Sequence, residues 1–417
     1  MSDSADLESS ARYDVVVWGA TGFVGKLICE YLLERYSGDS DIRWAMAARS
    51  TRKLDALKTE LGSAARNVPV IVADAADPDS LSVLVQSTRV VLSTVGPYAI
   101  YGAPLVEACA QHGTDYVDLA GETQWIRRMI DAHQETAAKS GARIVPCCGF
   151  DSIPSDLGVF FLQSEARVRF GAPIATVKMR VKAFKGGASG GTLASMVNIF
   201  QEAAADEEVA RILRDPYSLN PADRREGPRQ PSGMSVGYDD DAHAWTAPFV
   251  MAAINTRVVQ RTNALLDPPY ADGFLYDEMM LTGAGAGGWA TAWATTLGLG
   301  AFAGAASVTP LRSMLTRFVL TAPGDGPDEH ARNAGFYDLL FFGETDDGKK
   351  LATRVTGDKD PGYGSTAKVI SEAALCLAKD ISAETTGGGL WTPASAMGGK
   401  LIARLEASAG LAFTVCN

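Results

Sequence analysis

Residues 13–26 read YDVVVWGATGFVGK. An apolar run ends in three glycines, Gly19, Gly22 and Gly25, at a spacing of three, and a helix-like stretch follows. In such a turn the first glycine permits a tight bend. The second lets the backbone approach a pyrophosphate, and the third lets the helix pack close on the strand. The helix N-terminus then presents free N–H groups to phosphates. The expected cradle is Gly19, Ala20, Thr21, Gly22, Phe23, Val24 and Gly25; the alternative is a glycine-rich turn with no ligand.

The pattern around this turn gives it context. Apolar strand-like runs recur at 42–48, 68–74, 88–95, 114–119 and 142–148, each separated by a helix-like segment. β-Branched runs without alternation point to strands buried on both faces. Strands joined by helices point to a parallel, doubly wound α/β sheet. After residue 150 the rhythm changes. TVKMRVKAF (176–184) alternates like an antiparallel strand with one wet face, and 198–214 reads as helix. Residues 215–247 read as a long loop, 257–266 and 274–281 as strand or mixed, and 336–358 as a hairpin turning at Asp347–Gly348. Residues 365–381 read as a strong amphipathic helix, and 394–407 as another.

Several residues at strand ends are candidates. An NAD site places Asp or Glu after the second strand; here Ala48-Arg49-Ser50 stands there. Arg49 and Ser50 suit a 2′-phosphate, which favours NADP (NADPH), although Arg49 could instead serve the start of the next helix. Asp74 either meets the adenine or caps a helix. Thr94, Val95, Gly96 and Pro97 end the fourth strand on the expected nicotinamide side, with Tyr98 and Tyr101 as pocket or loop-packing residues. Asp118, Glu122, Asp151 and Asp156 follow the fifth and sixth strands, where carboxylates either orient substrate and shuttle protons or serve as caps, Asp118 or Glu122 for one helix and Ser152 or Ser155 for the next.

Composition limits the partners. The 417 residues suffice for two domains, and the formal net charge of −11 disfavours nucleic acid. Six cysteines without a CxxC pair and four scattered histidines offer no disulfide framework and no metal site. MSDSADLESS lacks the order of a signal peptide, so the expected location is cytoplasmic. Residues 279–311 carry no charge. They are read either as close-packed helices under a substrate pocket or as a peripheral membrane contact. A homodimer is the expectation from base rates.

The runs GATGFVGK, AARS, TVGPYAIYG, PLVEACA, DYVDLAGE and CGFDSIPSDLG together resemble the saccharopine dehydrogenase-like oxidoreductases. So do DPYSLN, INTRVVQRTNAL, YGSTAKV and TPASAMGG, so the likeness covers most of the chain. Within that group the chain is most similar to the trans-acting enoyl reductases of mycobacterial lipid synthesis. The resemblance implies a Rossmann-like domain at 12–150 after a disordered 1–11. It also implies an inserted second α/β domain of mixed or antiparallel sheet at 151–362, and C-terminal helices at 363–417 returning to the first domain. It implies NADPH-dependent reduction of a small-molecule or carrier-bound acyl substrate. A donor must then face the developing enolate, with Tyr98 first and Tyr101, Ser152 and backbone near Gly149 in reserve. Arg257 either meets a carrier phosphate or pairs with a surface acid. Two other readings stay open: reduction of another imine or ketone, and a non-catalytic NADP-binding scaffold at a membrane.

Overall fold

The computed structural model describes residues 12–186, 190–307 and 326–416; the expected disordered stretch 1–11 and the end of the uncharged run, 308–311, lie outside them. Strands β1 (Tyr13–Trp18), β2 (Trp44–Ala48), β3 (Val70–Val72), β4 (Thr88–Ser93), β5 (Asp115–Asp118) and β6 (Arg143–Val145) form one parallel sheet in the order 3-2-1-4-5-6. Every residue of β1 and β2 is buried, because helices cover both faces. Val15 and Val17 pack with the helix Phe23–Tyr36, while Val16 and Trp18 face the helices Pro78–Gln86 and Ala103–His112. Asp77 caps the helix that follows it, its side chain accepting from Asp79 N.

The second sheet is mixed. It combines β7 (Thr176–Lys185), β8 (Gly237–Asp239), β9 (Ala244–Pro248), β10 (Leu275–Gly283), β11 (Phe336–Glu344) and β12 (Lys350–Gly357). Only the β7–β10 pairing is parallel. The hairpin at 336–358 is present, with register Tyr337 opposite Gly357. Three segments differ from expectation. The supposed loop contains β8 and β9, and 257–266 belongs to a helix, Ala252–Leu265. Its β-branched residues suggested strand, but Ile254, Val258 and Thr262 recur every four residues and face the core. The uncharged run forms β10 and then one long helix, Gly285–Ser307, with an exposed face, not a buried helical pair.

The C-terminal part joins both sheets. Helix Thr366–Lys379 lies on β1, β4 and β5 beside the helix Phe23–Tyr36. It is buried almost all round, not amphipathic: Val369, Ile370, Leu375 and Leu377 are wholly enclosed. Its one buried charge, Glu372, is satisfied by Tyr31 Oη at 2.6 Å, Tyr36 Oη at 2.7 Å and Arg404 at 3.1 Å. A seventh parallel strand, β13 (Gly389–Leu390), pairs with β6. The helix Pro393–Arg404 follows, and then β14 (Leu411–Val415) pairs with β12 in the second sheet. The chain's end is thus not purely helical and returns to both halves. Alternation of Leu411 and Phe413 inward with the small Ala412 and Thr414 outward is the signal for this edge strand.

Candidate functional site

In a parallel sheet all C-terminal strand ends lie along one edge, and the turn after β1 opens there. Gly19 has φ +89°, and a Cβ on it would lie 2.6 Å from Thr94 Oγ1. A Cβ on Gly25 would lie 2.1 Å from Gly19 O, so the helix can sit this close only on glycine. Gly22 is different: an added Cβ would meet only Gly19 O, at 3.3 Å. Its outer side is exposed, and as the helix N-cap it brings no side-chain acceptor. First-turn N–H groups therefore face outward unclaimed by a cap, as phosphate oxygens require. Thr94 Oγ1 donates to Trp18 O and Gly19 O at 3.2 and 3.3 Å, tying the end of β4 to the glycine turn. Gly96 stands exposed beyond it.

At the end of β2, Arg49 is exposed and makes no hydrogen bond or ion pair with the described residues. It does not serve the next helix; Ser50 does, accepting from Lys53 N. Asp74 Oδ1 accepts from Ala76 N at 3.0 Å and shapes its own turn, while Asp77 caps the helix. The cradle and the unpaired guanidinium fit a dinucleotide carrying a 2′-phosphate. Arg49→Ala is expected to abolish a preference of about tenfold or more for NADPH over NADH, about 1.4 kcal/mol, measured by fluorescence titration of both cofactors.

Expected catalytic residues fare differently. Tyr98 is buried under Trp125, with ring centroids 5.5 Å apart. Its hydroxyl donates to Ser93 O at 3.0 Å and accepts from Leu119 N at 3.1 Å. Burial, with the nearby Asp118 carboxylate, holds its pKa well above the ordinary phenol value. Tyr98 is therefore a strut between β4 and β5, and its only proton is committed. Ser152 is likewise buried and donates to Asn255 Oδ1 at 2.9 Å, inside the protein. Tyr101 is 49% exposed at the end of the short helix Tyr98–Tyr101. Arg257 is buried and donates to the carbonyls of Ala253 and Leu213; it makes no ion pair with the described residues, and the charge it feels is that of Asp215.

The carboxylates separate by their partners. Asp118 accepts from Tyr116 Oη, Ala120 N and Cys147 N, and burial pushes its pKa up to about 7. Glu122 precedes the helix Thr123–Ser140 without its side chain capping it. Its carboxylate instead accepts from Tyr98 N at 3.1 Å, Ala99 N at 2.6 Å and Ser195 Oγ at 2.7 Å. This ties the β4 loop to the helix Gly190–Ala205, a contact invisible in the sequence. Asp156 is enclosed and accepts from Thr262 Oγ1 at 2.6 Å and Ala394 N at 2.8 Å.

Asp151 has none of this. It follows β6, is partly buried, and has no hydrogen bond or ion pair with the described residues. Burial alone pushes its pKa up to about 6. Its charge is felt at Tyr98 and Cys147, which places it beside the ends of β4 and β6. A partnerless carboxyl group at the cofactor edge is a candidate proton carrier. In the sequence it was one of four such carboxylates, and only the packing distinguishes it.

The profile of the saccharopine dehydrogenase NADP binding domain matches residues 15–145. Over 411 residues the chain is 42% identical to the Mycobacterium tuberculosis protein named "Putative trans-acting enoyl reductase Rv2449c", covering 95% of this chain and 96% of that one. It is 38% identical to a "Trans-acting enoyl reductase" of Mycobacterium ulcerans, covering 95% and 97%. The chain belongs to the saccharopine dehydrogenase-like oxidoreductases. A saccharopine dehydrogenase (L-Glu forming) from Saccharomyces cerevisiae shares the fold, with a TM-score of 0.53 at 13% identity over 97% of this chain and all of that one. Like the rest of its family's nucleotide domain, this saccharopine dehydrogenase-like oxidoreductase binds NADP(H). The matched segment ends at Val145, the last residue of β6, and so contains the glycine turn, Arg49 and Thr94.

Proposed function

We propose that this oxidoreductase reduces the carbon–carbon double bond of an α,β-unsaturated acyl thioester, carried to it by a separate synthase of lipid or polyketide assembly. The observation that carries the reading is the match, along nearly the whole chain, to proteins named trans-acting enoyl reductases. The state of the arginines supports it. An amino-acid adduct needs cations free to hold its carboxylates. Arg127 pairs with Asp131 and donates to Ser218 O, Arg257 donates to the carbonyls of Ala253 and Leu213, and Arg261 donates to those of Leu219 and Leu390.

Bound in the glycine turn, NADPH supplies a hydride equivalent for the β-carbon. The remaining work falls to the chain. Gly19, Gly22 and Gly25 with the helix end hold the pyrophosphate, and Arg49 with Ser50 holds the 2′-phosphate. Thr94 and Glu122 fix the backbone of 94–99 on the nicotinamide side. Asp151 holds a proton for the α-carbon, and its raised pKa keeps that proton available near neutrality. Tyr101 is the candidate donor left to meet the thioester oxygen once Tyr98 and Ser152 are excluded, because the N–H groups flanking Gly149 are spent: Cys148 N on Asp118 O and Phe150 N on Thr366 Oγ1.

The test follows NADPH oxidation with an unsaturated acyl thioester on a carrier protein, the same chain as a coenzyme A ester, an imine of an amino acid, and a ketone. Oxidation with the carrier-bound thioester, faster than with the others, is the expected result. Oxidation with the imine or ketone alone would sink the reading.

A further inference from the structure

The helix Gly285–Ser307 packs on β9 and β10 through an inner line that includes Gly288, Ala292 and Ala306. Its outer line carries Trp289, Trp293 and Leu297, which are 48%, 44% and 66% exposed. Their spacing of four puts them on one face, one above the next. No residue of this 23-residue helix is charged. A helix face that meets water ordinarily carries Lys, Glu or Arg, and an exposed apolar face of this extent marks an interaction surface.

Two of the helix's threonines are turned back on it. The exposed Thr291 donates to Gly287 O at 3.0 Å, and Thr296 donates to Ala292 O at 2.8 Å. Groups satisfied this way offer a protein partner nothing to recognise and are what a low-dielectric surrounding demands. Aromatic rings gather where the helix begins. Tyr238 and Trp245 meet edge to face at 5.5 Å, and Thr282 Oγ1 bridges to Trp245 O and Gly288 O at 3.0 and 2.9 Å. At a rise of 1.5 Å per residue the helix runs about 35 Å. Yet among the described residues no helix is long and apolar enough to cross a membrane.

We propose that this face docks on a lipid bilayer with uncharged, zwitterionic headgroups, the helix lying flat with Trp289, Trp293 and Leu297 in the interface. Charge decides the lipid. A chain of net charge −11 is repelled by an anionic surface, and a face without a single Lys or Arg has nothing to offset that. Indole rings belong at the boundary between headgroup and acyl chain. The docked helix also lies one helix away from the cofactor edge. Gly190–Ala205 packs against it and carries Ser195, whose hydroxyl reaches Glu122.

Flotation of the full chain with phosphatidylcholine vesicles tests this. The wild type is expected to float, unaffected by high salt, and its tryptophan fluorescence to be quenched by brominated phosphatidylcholine. The Trp289→Ser, Trp293→Ser, Leu297→Ser triple variant is expected to lose about tenfold or more in binding and most of the quenching. Quenching is read on the wild type, so it stands whether or not the triple variant folds. Absence of both flotation and quenching would overturn the proposal. So would equal flotation of the variant, or binding that needs an anionic lipid. A wild-type dimer that dissociates in the variant, with no vesicle binding, would instead make this a surface between two copies of the chain.

Discussion

Asp151→Asn is expected to lower turnover by about two to four orders of magnitude while changing NADPH affinity little. The carboxyl group follows β6 on the cofactor edge, has no partner among the described residues, and is held by burial at a pKa of about 6. As a proton donor it must hold its proton, so wild-type turnover falls as pH rises through that value. Stability falls in the same direction. The folded state binds this proton more tightly than the unfolded chain, whose Asp titrates near 3.9. The cost of burying the charge is absent below that pH, grows as pH rises to about 6, and is constant above. Asparagine removes it. The variant should therefore unfold at higher denaturant at pH 8, by about 1–2 kcal/mol after allowance for the partial exposure of the group, and match the wild type near pH 4. Full turnover in the variant would remove Asp151 from the reaction.

Gly25→Ala and Gly22→Ala are expected to fail in different ways. A methyl group at position 25 would lie 2.1 Å from Gly19 O and 2.8 Å from Ala20 Cα, both backbone atoms that cannot swing aside. The helix Phe23–Tyr36 must shift, and with it the N–H groups of its first turn. The expected losses are about a hundredfold in NADPH affinity, or about 2.7 kcal/mol, and about 1–3 kcal/mol of stability without cofactor. At position 22 the methyl has room in the apo protein, meeting one carbonyl at 3.3 Å, but stands where the pyrophosphate approaches. Gly22→Ala should keep its unfolding midpoint and lose affinity. Equal midpoints for the two variants, or an unchanged affinity in both, would show that the turn is not the phosphate cradle.

The first six strands of the parallel sheet were readable because each is an apolar run bounded by turn residues and their connections are local; the seventh, Gly389–Leu390, arrives from far along the chain and carries no such run. The place of Arg49 was readable for a related reason: its position after β2 is set by local sequence and not by distant partners. Tyr98 misled because sequence shows the loop but not Trp125 and Leu119 closing over the phenol. Asp151 stood equal with Asp118, Glu122 and Asp156 until packing revealed that the other three carboxylates are fully engaged. The helix at 252–265 was obscured by β-branched residues whose period of four is set by the core it faces. β14 and the Glu122–Ser195 contact join residues far apart in the chain, which local patterns do not report.

The late return of the chain bears on how it is made. The face of β1, β4 and β5 is closed by Thr366–Lys379, and the sheet edge at β6 by Gly389–Leu390. When residue 150 leaves the ribosome, about 240 further residues must follow before that face is covered, roughly 12 to 48 s at ordinary elongation rates. Through that interval the nascent nucleotide-binding half exposes an apolar sheet surface and an unpaired parallel edge. Its cellular yield should accordingly depend on holding chaperones more than its finished stability would indicate, and a fragment ending near residue 150 should aggregate instead of folding alone.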